Sequence, residues 1–438
     1  MTDFSEDHKN MRAISAICAN PPGINGKNVG MDSVNLALPL MLKRIGIKAD
    51  VNYYYPHMLH VKTEQNITAG PAIQSVNHGD LKQEFRSVHA HLDEIMASKI
   101  ILYWGDFLHM AQYQRTIARR LIQKGHVSSE EDAANYIQEI LFLSQAEDAV
   151  LKKSISFGGT IIFNTIDDEL YGKYATELTR FIKRTYRIWP RDVFSSIKIS
   201  HLLSDYSRIR PGVDCALLIH EADVRELCGE SEVAIKGAVS GNIGIFFGRT
   251  RGTGFRLMKF ATSIARGMKK SMYWLPWGNH QGFPVHETWF APRPVSLNIM
   301  PGCEQLSATE HLLSALRHSS LIITDTYHVA VNAWNMGTPA VCVGDTAPLE
   351  LSEVRSVNSG AAYAWRDKRQ TFFSMYDALD YFVHAHELQN WRWSRRRIQH
   401  ILQKLDDQKA IDEIVHRMHQ HRGCIEAELA SEITRLLS

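Results

Sequence analysis

The chain has 438 residues, of which 45% are hydrophobic and 22% charged, a composition typical of globular proteins and a length that favours two or three domains. Lysine and arginine number 49 against 47 aspartates and glutamates, so the net charge of +2 gives no general attraction to nucleic acid. Six widely spaced cysteines without a CxxC pair, no apolar leader and no apolar run near the ~18–20 residues of a membrane span favour a cytoplasmic protein.

The first half of the chain repeats one unit, a short apolar run followed by a turn and an amphipathic helix. AISAICAN is typical of a strand, and it is followed by the turn PPGINGKNVG and by a helix that we expect to stop at Gly46. Further strands are predicted in ADVNYYY, SKIILYWGD and GGTIIFNT. Apolar runs without alternation are typical of strands that are buried on both faces of a parallel sheet.

The second half repeats this pattern. Strands are predicted in DCALLIH, NIGIFFG, KSMYWLP, VSLNIM, LIITD and AVCVG, and helices lie between several of them. The fold class is therefore α/β, with two Rossmann-like doubly wound domains. We place the N-terminal domain at 12–190, with a junction at KRTYRIWPRD, the C-terminal domain at 191–375, and a helical tail without strands at 376–438.

Ligands of such sheets bind at the carboxyl ends of the strands, so the turns there hold the candidate residues. The first turn contains Asn25, Asn28 and Gly30 before a helix, and it suits an anion or an oxygen-rich ligand, although Gly/Asn clusters also form ordinary turns. Gly105 and Asp106 end another strand, where Asp106 either faces the ligand or caps the next helix.

Two further turns belong to the second half. Gly248, Arg249 and Arg251 follow a strand, and guanidinium groups on a glycine-rich turn are suited to bind a carboxylate or phosphate, the alternative being solvated surface arginines. His280 lies in an aromatic and polar loop that suits either stacking on sugars or core packing. No spacing of residues indicates a metal site.

The most informative turn joins LIITD to YHVAVNAWNM. Thr324, Asp325 and Thr326 are candidate N-caps of the helix, and His328 lies in its first turn. The positive end of the helix dipole attracts anions and disfavours the imidazolium, which predicts a neutral histidine able to act as a base. The alternative is a histidine that only binds a neighbouring loop.

The segment NWRWSRRRIQH contains a basic and aromatic patch between Trp391 and Arg397. This patch predicts peripheral contact with an anionic membrane surface or a phosphate-bearing acceptor. The alternative is a solvated helix face.

Five segments in order carry a resemblance to a known family. They are NGKNVGMD, IILYWGD, VDCALLI, FFGR and TDTYHVAVNAWNMGTPAVCVGD, spread between Ala13 and Asp345. The chain resembles the polysaccharide pyruvyl transferase family, whose fold is of the GT-B type. The resemblance implies transfer of a carboxyethylidene group from phosphoenolpyruvate to a sugar diol in exopolysaccharide or cell-envelope glycan biosynthesis.

The resemblance also assigns roles to residues. It makes His328 the motif histidine, and it places the acceptor, a glycan or a lipid-linked sugar, on the N-terminal side and the donor on the C-terminal side. The donor-binding residues are then Gly248, Arg249, Arg251, Thr324, Asp325 and Thr326. The acceptor-binding residues are Asn25, Asn28, Gly30, Asp32, Gly105, Asp106 and His280. No cofactor is implied, a location at the inner membrane face is expected, and self-association is left open.

One departure from the family pattern bears on the donor. The family has an arginine two residues before the histidine, where this chain has Thr326, and threonine cannot replace a cationic fork. Arg251 or another arginine then supplies the charge, or the donor differs. Two alternatives stay open: a GT-B glycosyltransferase that uses a nucleotide sugar, and a catalytically inactive glycan-binding relative.

Overall fold

Two β-sheets form the framework of the chain. The computed structural model describes residues 14–19, 28–56, 74–78, 81–105, 117–119, 121–123, 125, 127–160, 174–203, 207–249, 254–278, 297–298, 308–344 and 367–438. The first sheet has the order β3-β4-β2-β1-β5-β6-β7 and is parallel except for the β3–β4 pair. Its strands are β1 (Ile14–Cys18), β2 (Val51–Tyr55), β3 (Gln74–His78), β4 (Leu81–Ser87), β5 (Ile100–Trp104), β6 (Ser154–Gly159) and β7 (Arg187–Pro190).

The second sheet is parallel throughout, with the order β10-β9-β8-β11-β12-β13. Its strands are β8 (Ile243–Phe246), β9 (Met272–Trp274), β10 (Leu297–Asn298), β11 (Leu321–Thr324), β12 (Ala340–Gly344) and β13 (Phe382–His384). The central strands β8, β11 and β12 are buried along their whole length, as expected for strands covered on both faces.

Helices separate most of these strands along the chain. In the first half they are α1 (Val29–Arg44), α2 (Leu92–Ala97), α3 (Glu130–Phe142), α4 (Asp148–Leu151), α5 (Tyr174–Arg184) and α6 (Val193–Leu203). In the second half they are α7 (Glu221–Cys228), α8 (Ser231–Val239), α9 (Gly254–Met268), α10 (Thr309–His318), α11 (Tyr327–Asn335), α12 (Lys368–Met375), α13 (Trp391–Leu405) and α14 (Gln408–Leu437). The predicted α/β fold with two Rossmann-like parts and a helical C-terminal segment is confirmed.

Helix α1 shows how local sequence positions an element beside the cleft. Asn28 caps its first turn by accepting the Met31 N–H at 3.4 Å, and Gly46, with a φ of +74°, follows its last turn as predicted. The indole N–H of Trp104, at the end of β5, donates to the carbonyl of Val34 at 2.6 Å. This bond fixes the first half of α1 over the carboxyl ends of the strands.

The last helix, α14, connects the two halves. Its Glu432 accepts hydrogen bonds from the hydroxyl of Tyr186 at 2.7 Å and from Arg187 at 3.1 Å, both on the first half. Nearer its middle, Glu426 accepts from His220 and Arg44. Among the described residues, none of the helices is both long and apolar enough to span a membrane.

Several predicted elements are wrong. DCALLIH is no strand, because Asp214 caps a short 3₁₀-helix, Cys215–Leu218, by accepting the Ala216 N–H at 3.0 Å. The tail is not free of strands, since β13 pairs with β12. In the run GGTIIFNT the two glycines end β6, and the residues after Thr160 lie outside the described residues. The predicted junction segment contains β7, and the domain boundary itself stays a prediction. Strands of three or four residues are too short to leave a periodic signal.

Candidate active site

His328 lies where the two halves of the chain meet. Strand β11 ends at Thr324, Thr326 is the N-cap residue of α11, and His328 is the second residue of that helix, as predicted. The side chain is only 10% exposed, and its Nε2 faces Oδ2 of Asp214 at 3.7 Å, an ion-pair distance beyond a hydrogen bond. The histidine is therefore buried beside a carboxylate at the mouth of its own helix.

A second helix N-terminus reaches the same imidazole. Gly30 is the second residue of α1, and a Cβ atom there would lie 2.8 Å from both Cβ and Nδ1 of His328. The turn before it is held on the other half, since the Val29 N–H donates to Trp277 at 3.3 Å and Asn28 forms a β-bridge with Gly278. The structure thus brings Gly30, one of the predicted acceptor residues, against His328, and Asn28 lies two residues before it as the cap of α1.

Asp214 is a site residue that the sequence reasoning missed. It is buried, its Oδ1 accepts the Ala216 N–H, and its Oδ2 lies 3.4 Å from a guanidinium nitrogen of Arg191. Burial opposes its ionisation, but His328 and Arg191 hold the pKa of this carboxyl far below its ordinary value. One sequence signal could have identified Asp214. Aspartate is a common N-cap residue, so its place directly before an apolar run indicates the start of a helix.

The environment favours the neutral form of His328. Burial lowers the pKa of His328, Lys368 and Arg191 lower it further, and Asp214 offsets part of the effect. Two helix N-termini add positive potential at the same point. Near neutral pH the ring therefore has an unprotonated nitrogen available as a base, beside a carboxylate that can stabilise the imidazolium once it forms.

A small pocket of about 10 Å³, enough for about one water molecule, adjoins this pair. Its lining side chains come from both halves of the chain and from α12. They are Arg191, Asp192, Asp214, Leu217, Tyr327, Lys368, Thr371, Phe372, Met375 and Tyr376. The lining therefore combines two cationic and two acidic groups with an aromatic and apolar wall.

The predicted donor residues form one hydrogen-bonded turn. The Asp325 carboxylate accepts the N–H groups of Gly248 at 2.7 Å and Arg249 at 2.9 Å. The Thr326 hydroxyl donates to the same carboxylate at 3.1 Å, and the Thr324 hydroxyl donates to the Phe246 carbonyl at 2.7 Å. These side chains shape the turn that presents the exposed Arg249. Direct contact with a donor stays a prediction.

The remaining predicted residues are spread around this centre. Asp32 lies in the first turn of α1. Gly105 has a φ of +102° at the end of β5, a conformation that favours glycine. Asn25, Asp106, Arg251 and His280 lie outside the described residues. Across the described parts of the chain, no group of three or more histidine, cysteine or acidic side chains is arranged to hold a metal ion.

Two mainly parallel β-sheets with helices between their strands form an α/β fold, and a buried histidine–aspartate pair lies where the two halves meet. The chain belongs to the polysaccharide pyruvyl transferase family, because the sequence model of that family matches residues 28–346, most of its length. It is therefore a transferase, and a sugar polymer or its precursor is the acceptor class that fits the family. A comparison with curated proteins found no match.

Several solved structures are similar to the chain at low identity. The glycotransferase of kitacinnamycin matches with a TM-score of 0.46 and 10% identity, over 98% of this chain and 100% of its own. The UDP-forming α,α-trehalose-phosphate synthase from Burkholderia vietnamiensis matches with a TM-score of 0.45 and 10% identity, over 97% of each chain. UDP-GlcNAc 2-epimerase from Methanocaldococcus jannaschii matches with a TM-score of 0.43 and 8% identity, over 88% of this chain and 92% of its own.

Proposed function

We propose that this protein transfers the carboxyethylidene group of phosphoenolpyruvate to two hydroxyls of a sugar in a glycan or glycan precursor. The observation that carries the proposal is the buried His328–Asp214 pair between the two helix N-termini, inside the segment that matches the family. The pair offers a base, and the helix ends and Arg191 offer positive potential for an anionic donor.

The reaction forms a ketal without oxidation or reduction. Both sugar oxygens bond to C2 of the enolpyruvyl group, and the bond between C2 and the phosphate oxygen breaks. One hydroxyl proton ends on the methylene carbon, which becomes a methyl group, and the other ends on the released phosphate. His328 takes the proton of an attacking hydroxyl, and Asp214 stabilises the imidazolium that results.

In this proposal the acceptor and the donor bind on opposite sides of the cleft. The acceptor sugar lies toward Asn28, Gly30 and Asp32, because these residues belong to the α1 turn that meets His328. The donor lies toward the Gly248–Arg249 turn. His328 is placed between these regions, as a base that acts on an acceptor hydroxyl requires.

Thermal stabilisation of the protein by phosphoenolpyruvate, without an acceptor, tests the identity of the donor. A ligand at one hundred times its Kd adds about 2.7 kcal/mol to the free energy of unfolding, which raises the midpoint of thermal unfolding by several degrees. We expect this rise with phosphoenolpyruvate and no comparable rise with UDP-, GDP- or CMP-linked sugars, measured by differential scanning fluorimetry on the full chain.

The other outcomes identify the rival functions. Stabilisation only by a nucleotide sugar would contradict the proposal and indicate a glycosyltransferase. No response to either donor class, with retained binding on a glycan array, would indicate a glycan-binding relative without catalysis. Release of inorganic phosphate from phosphoenolpyruvate in the presence of a sugar diol, followed by ³¹P NMR, would establish the transfer itself.

The N-terminal part of α13 supports a location at a membrane surface. Trp391 and Trp393 are 66% and 53% exposed, and the side chains of Arg392, Arg395 and Arg396 are exposed beside them. Arg397 is different, because its side chain is turned inward and donates to the backbone carbonyls of Leu379 and Phe382. Exposed tryptophans with neighbouring arginines suit the interface of an anionic bilayer, where a lipid-linked acceptor would be found.

Vesicle sedimentation tests this location. We expect the protein to pellet with vesicles of phosphatidylcholine and phosphatidylglycerol but not with phosphatidylcholine alone, and to be released as salt increases, since each arginine contributes about 1 kcal/mol near an anionic surface. The double variant Trp391→Ala, Trp393→Ala should lose the binding. Val233→Ala, at another exposed apolar residue, is the control. If the double tryptophan variant pellets with the anionic vesicles as fully as Val233→Ala does, this surface does not bind the membrane.

A further inference from the structure

Helix α11 carries two buried asparagines behind His328. Asn332 lies one turn after the histidine and Asn335 lies almost one turn further, and the two residues are 0% and 1% exposed. A buried amide costs stability unless its hydrogen bonds are made. Both amides do form hydrogen bonds, and each of them connects α11 to a different neighbour of His328.

Asn332 connects His328 to the start of α1. Its amide nitrogen donates to the backbone carbonyl of His328 at 2.8 Å and to the hydroxyl of Ser33 at 3.1 Å. That hydroxyl donates in turn to the carbonyl of Gly30 at 2.8 Å, and Gly30 is the residue that packs against the imidazole. A chain of three hydrogen bonds therefore joins the backbone of His328 to the glycine that faces its ring, across the junction of the two halves.

Asn335 connects the same helix to Asp214. Its amide nitrogen donates to the carbonyls of Ile219 at 2.7 Å and Ala216 at 3.2 Å, at the short 3₁₀-helix that Asp214 caps. The N–H of Ala216 donates to the Asp214 carboxylate, so a single residue lies between the amide and that carboxylate. The side-chain oxygen of Asn335 accepts from Arg422 of α14 at 3.0 Å. These bonds fix the carrier of the carboxylate relative to the helix of the histidine.

The histidine and the aspartate are not joined by a hydrogen bond of their own. The 3.7 Å between Nε2 of His328 and Oδ2 of Asp214 exceeds a hydrogen bond, and this Nε2 is buried without a hydrogen-bond partner among the described residues. Their relative position therefore comes from the elements that carry them. A general base depends on that position, since a displacement of about 1 Å costs about 10²-fold in rate.

We propose that Asn332 and Asn335 are positioning residues, which hold His328 between Gly30 and Asp214 and do not act on a substrate themselves. The inference rests on the proposed function, since it takes His328 as the base. Their spacing of three residues places both amides on one side of α11. Buried amides that are bonded to three other segments form a polar network that can specify one arrangement of the packed helices.

Titration of His328 in the protein without ligands tests this inference. Carbon-13 at the histidine Cε1 atoms reports the titration by NMR, and the His328 signal is the one that His328→Gln lacks. Asn335→Ala should lower the pKa of His328, because the Asp214 carboxylate that raises it is no longer held beside the ring. Ser33→Ala should raise the pKa toward its ordinary value, because α1 packs less closely on the ring and burial decreases. Arg191 and Lys368, the cations that lower this pKa, are unchanged in both variants.

Turnover should fall by about 10- to 100-fold in Asn335→Ala and Ser33→Ala, while phosphoenolpyruvate binds within a few-fold of wild type. The effects of Ser33→Ala and Asn332→Ala should not add, because both variants remove the same hydrogen bond. The matched control is Thr338→Val, which removes a buried hydroxyl that donates to the Leu316 carbonyl at 2.7 Å, beyond the far end of α11. This control should cost a similar amount of stability and change neither the titration nor turnover.

The proposed function and this inference fail in different ways. If the titration shifts as expected but wild type releases no phosphate from phosphoenolpyruvate, the proposed function is wrong and the positioning stands. If wild type is active, and Asn335→Ala and Ser33→Ala titrate and turn over like Thr338→Val, the positioning is wrong. Ser33→Ala removes a single hydroxyl and keeps the test valid if an asparagine variant fails to fold, which its unfolding midpoint reports.

Discussion

Replacing His328 with alanine should reduce turnover by about 10²- to 10⁴-fold, the usual contribution of a general base. The side chain is buried at the junction of the two halves, and among the described residues Asp214 is the carboxylate beside its Nε2. Without the imidazole, the acceptor hydroxyl has no base at this point. The measurement is phosphate release at saturating donor, which separates a loss of turnover from weaker binding.

The fold should survive this substitution. Asp214 keeps its contacts with Arg191 and with the Ala216 N–H, and the Asn332 amide keeps its bond to the backbone carbonyl of residue 328 at 2.8 Å. His328→Gln retains a polar side chain of similar size but no base, so it should lose turnover and keep donor binding within a few-fold. His400→Gln is the control, because that histidine lies on α13, away from the cleft residues, and pairs with Asp380. Near-wild-type turnover of His328→Ala would remove His328 from the mechanism.

The neighbourhood of His328 was predictable because its signals are local. An apolar run of strand length, candidate caps at Thr324 to Thr326 and a glycine at residue 337, which has a φ of +80°, define a strand, a turn and a helix within one segment. The rule that ligands bind at strand ends then selects the first turn of α11. Nothing in this reasoning required knowledge of distant contacts.

The partners of His328 could not be predicted in the same way. Asp214 precedes an apolar run that was mistaken for a strand, Arg191 lies in a segment taken for a junction, and Lys368 begins α12 in a charged stretch. None of these three residues belongs to a sequence motif that would indicate a functional role. Their common feature is that they meet at Tyr327 and His328, and the packing of two sheets, rather than any local pattern, determines that meeting.

The sequence also did not explain why residue 30, the last residue of the NVG segment, is a glycine. Glycine at residue 30 is explained by the imidazole against which it packs, since a Cβ there would collide with His328. The sequence suggested only a flexible or anion-binding turn. The structure adds a steric requirement that links the N-terminal half to the motif histidine.

The pH dependence of turnover should report His328 directly. Because burial, Lys368 and Arg191 lower its pKa, the base form should persist below the ordinary histidine pKa of about 6.5. The acid limb of kcat/KM should therefore lie below that value, and activity should be lost as the pH falls through the lowered pKa. A histidine that acted as a general acid would instead lose activity as the pH rises through it.

Two variants should move this limb in opposite directions. Asp214→Asn removes the negative charge that raises the His328 pKa, so the limb should shift to lower pH while the plateau falls, because the imidazolium loses its stabilising carboxylate. Lys368→Gln removes a positive charge, and the limb should shift to higher pH. Asp380→Asn, whose carboxylate pairs with His400 and Lys404 at the surface, should shift neither limb nor plateau. If the acid limb lies at the same pH in wild type and in the three variants, a group other than His328 limits the reaction at low pH. Shifts of the limb in opposite directions would identify His328 as the base.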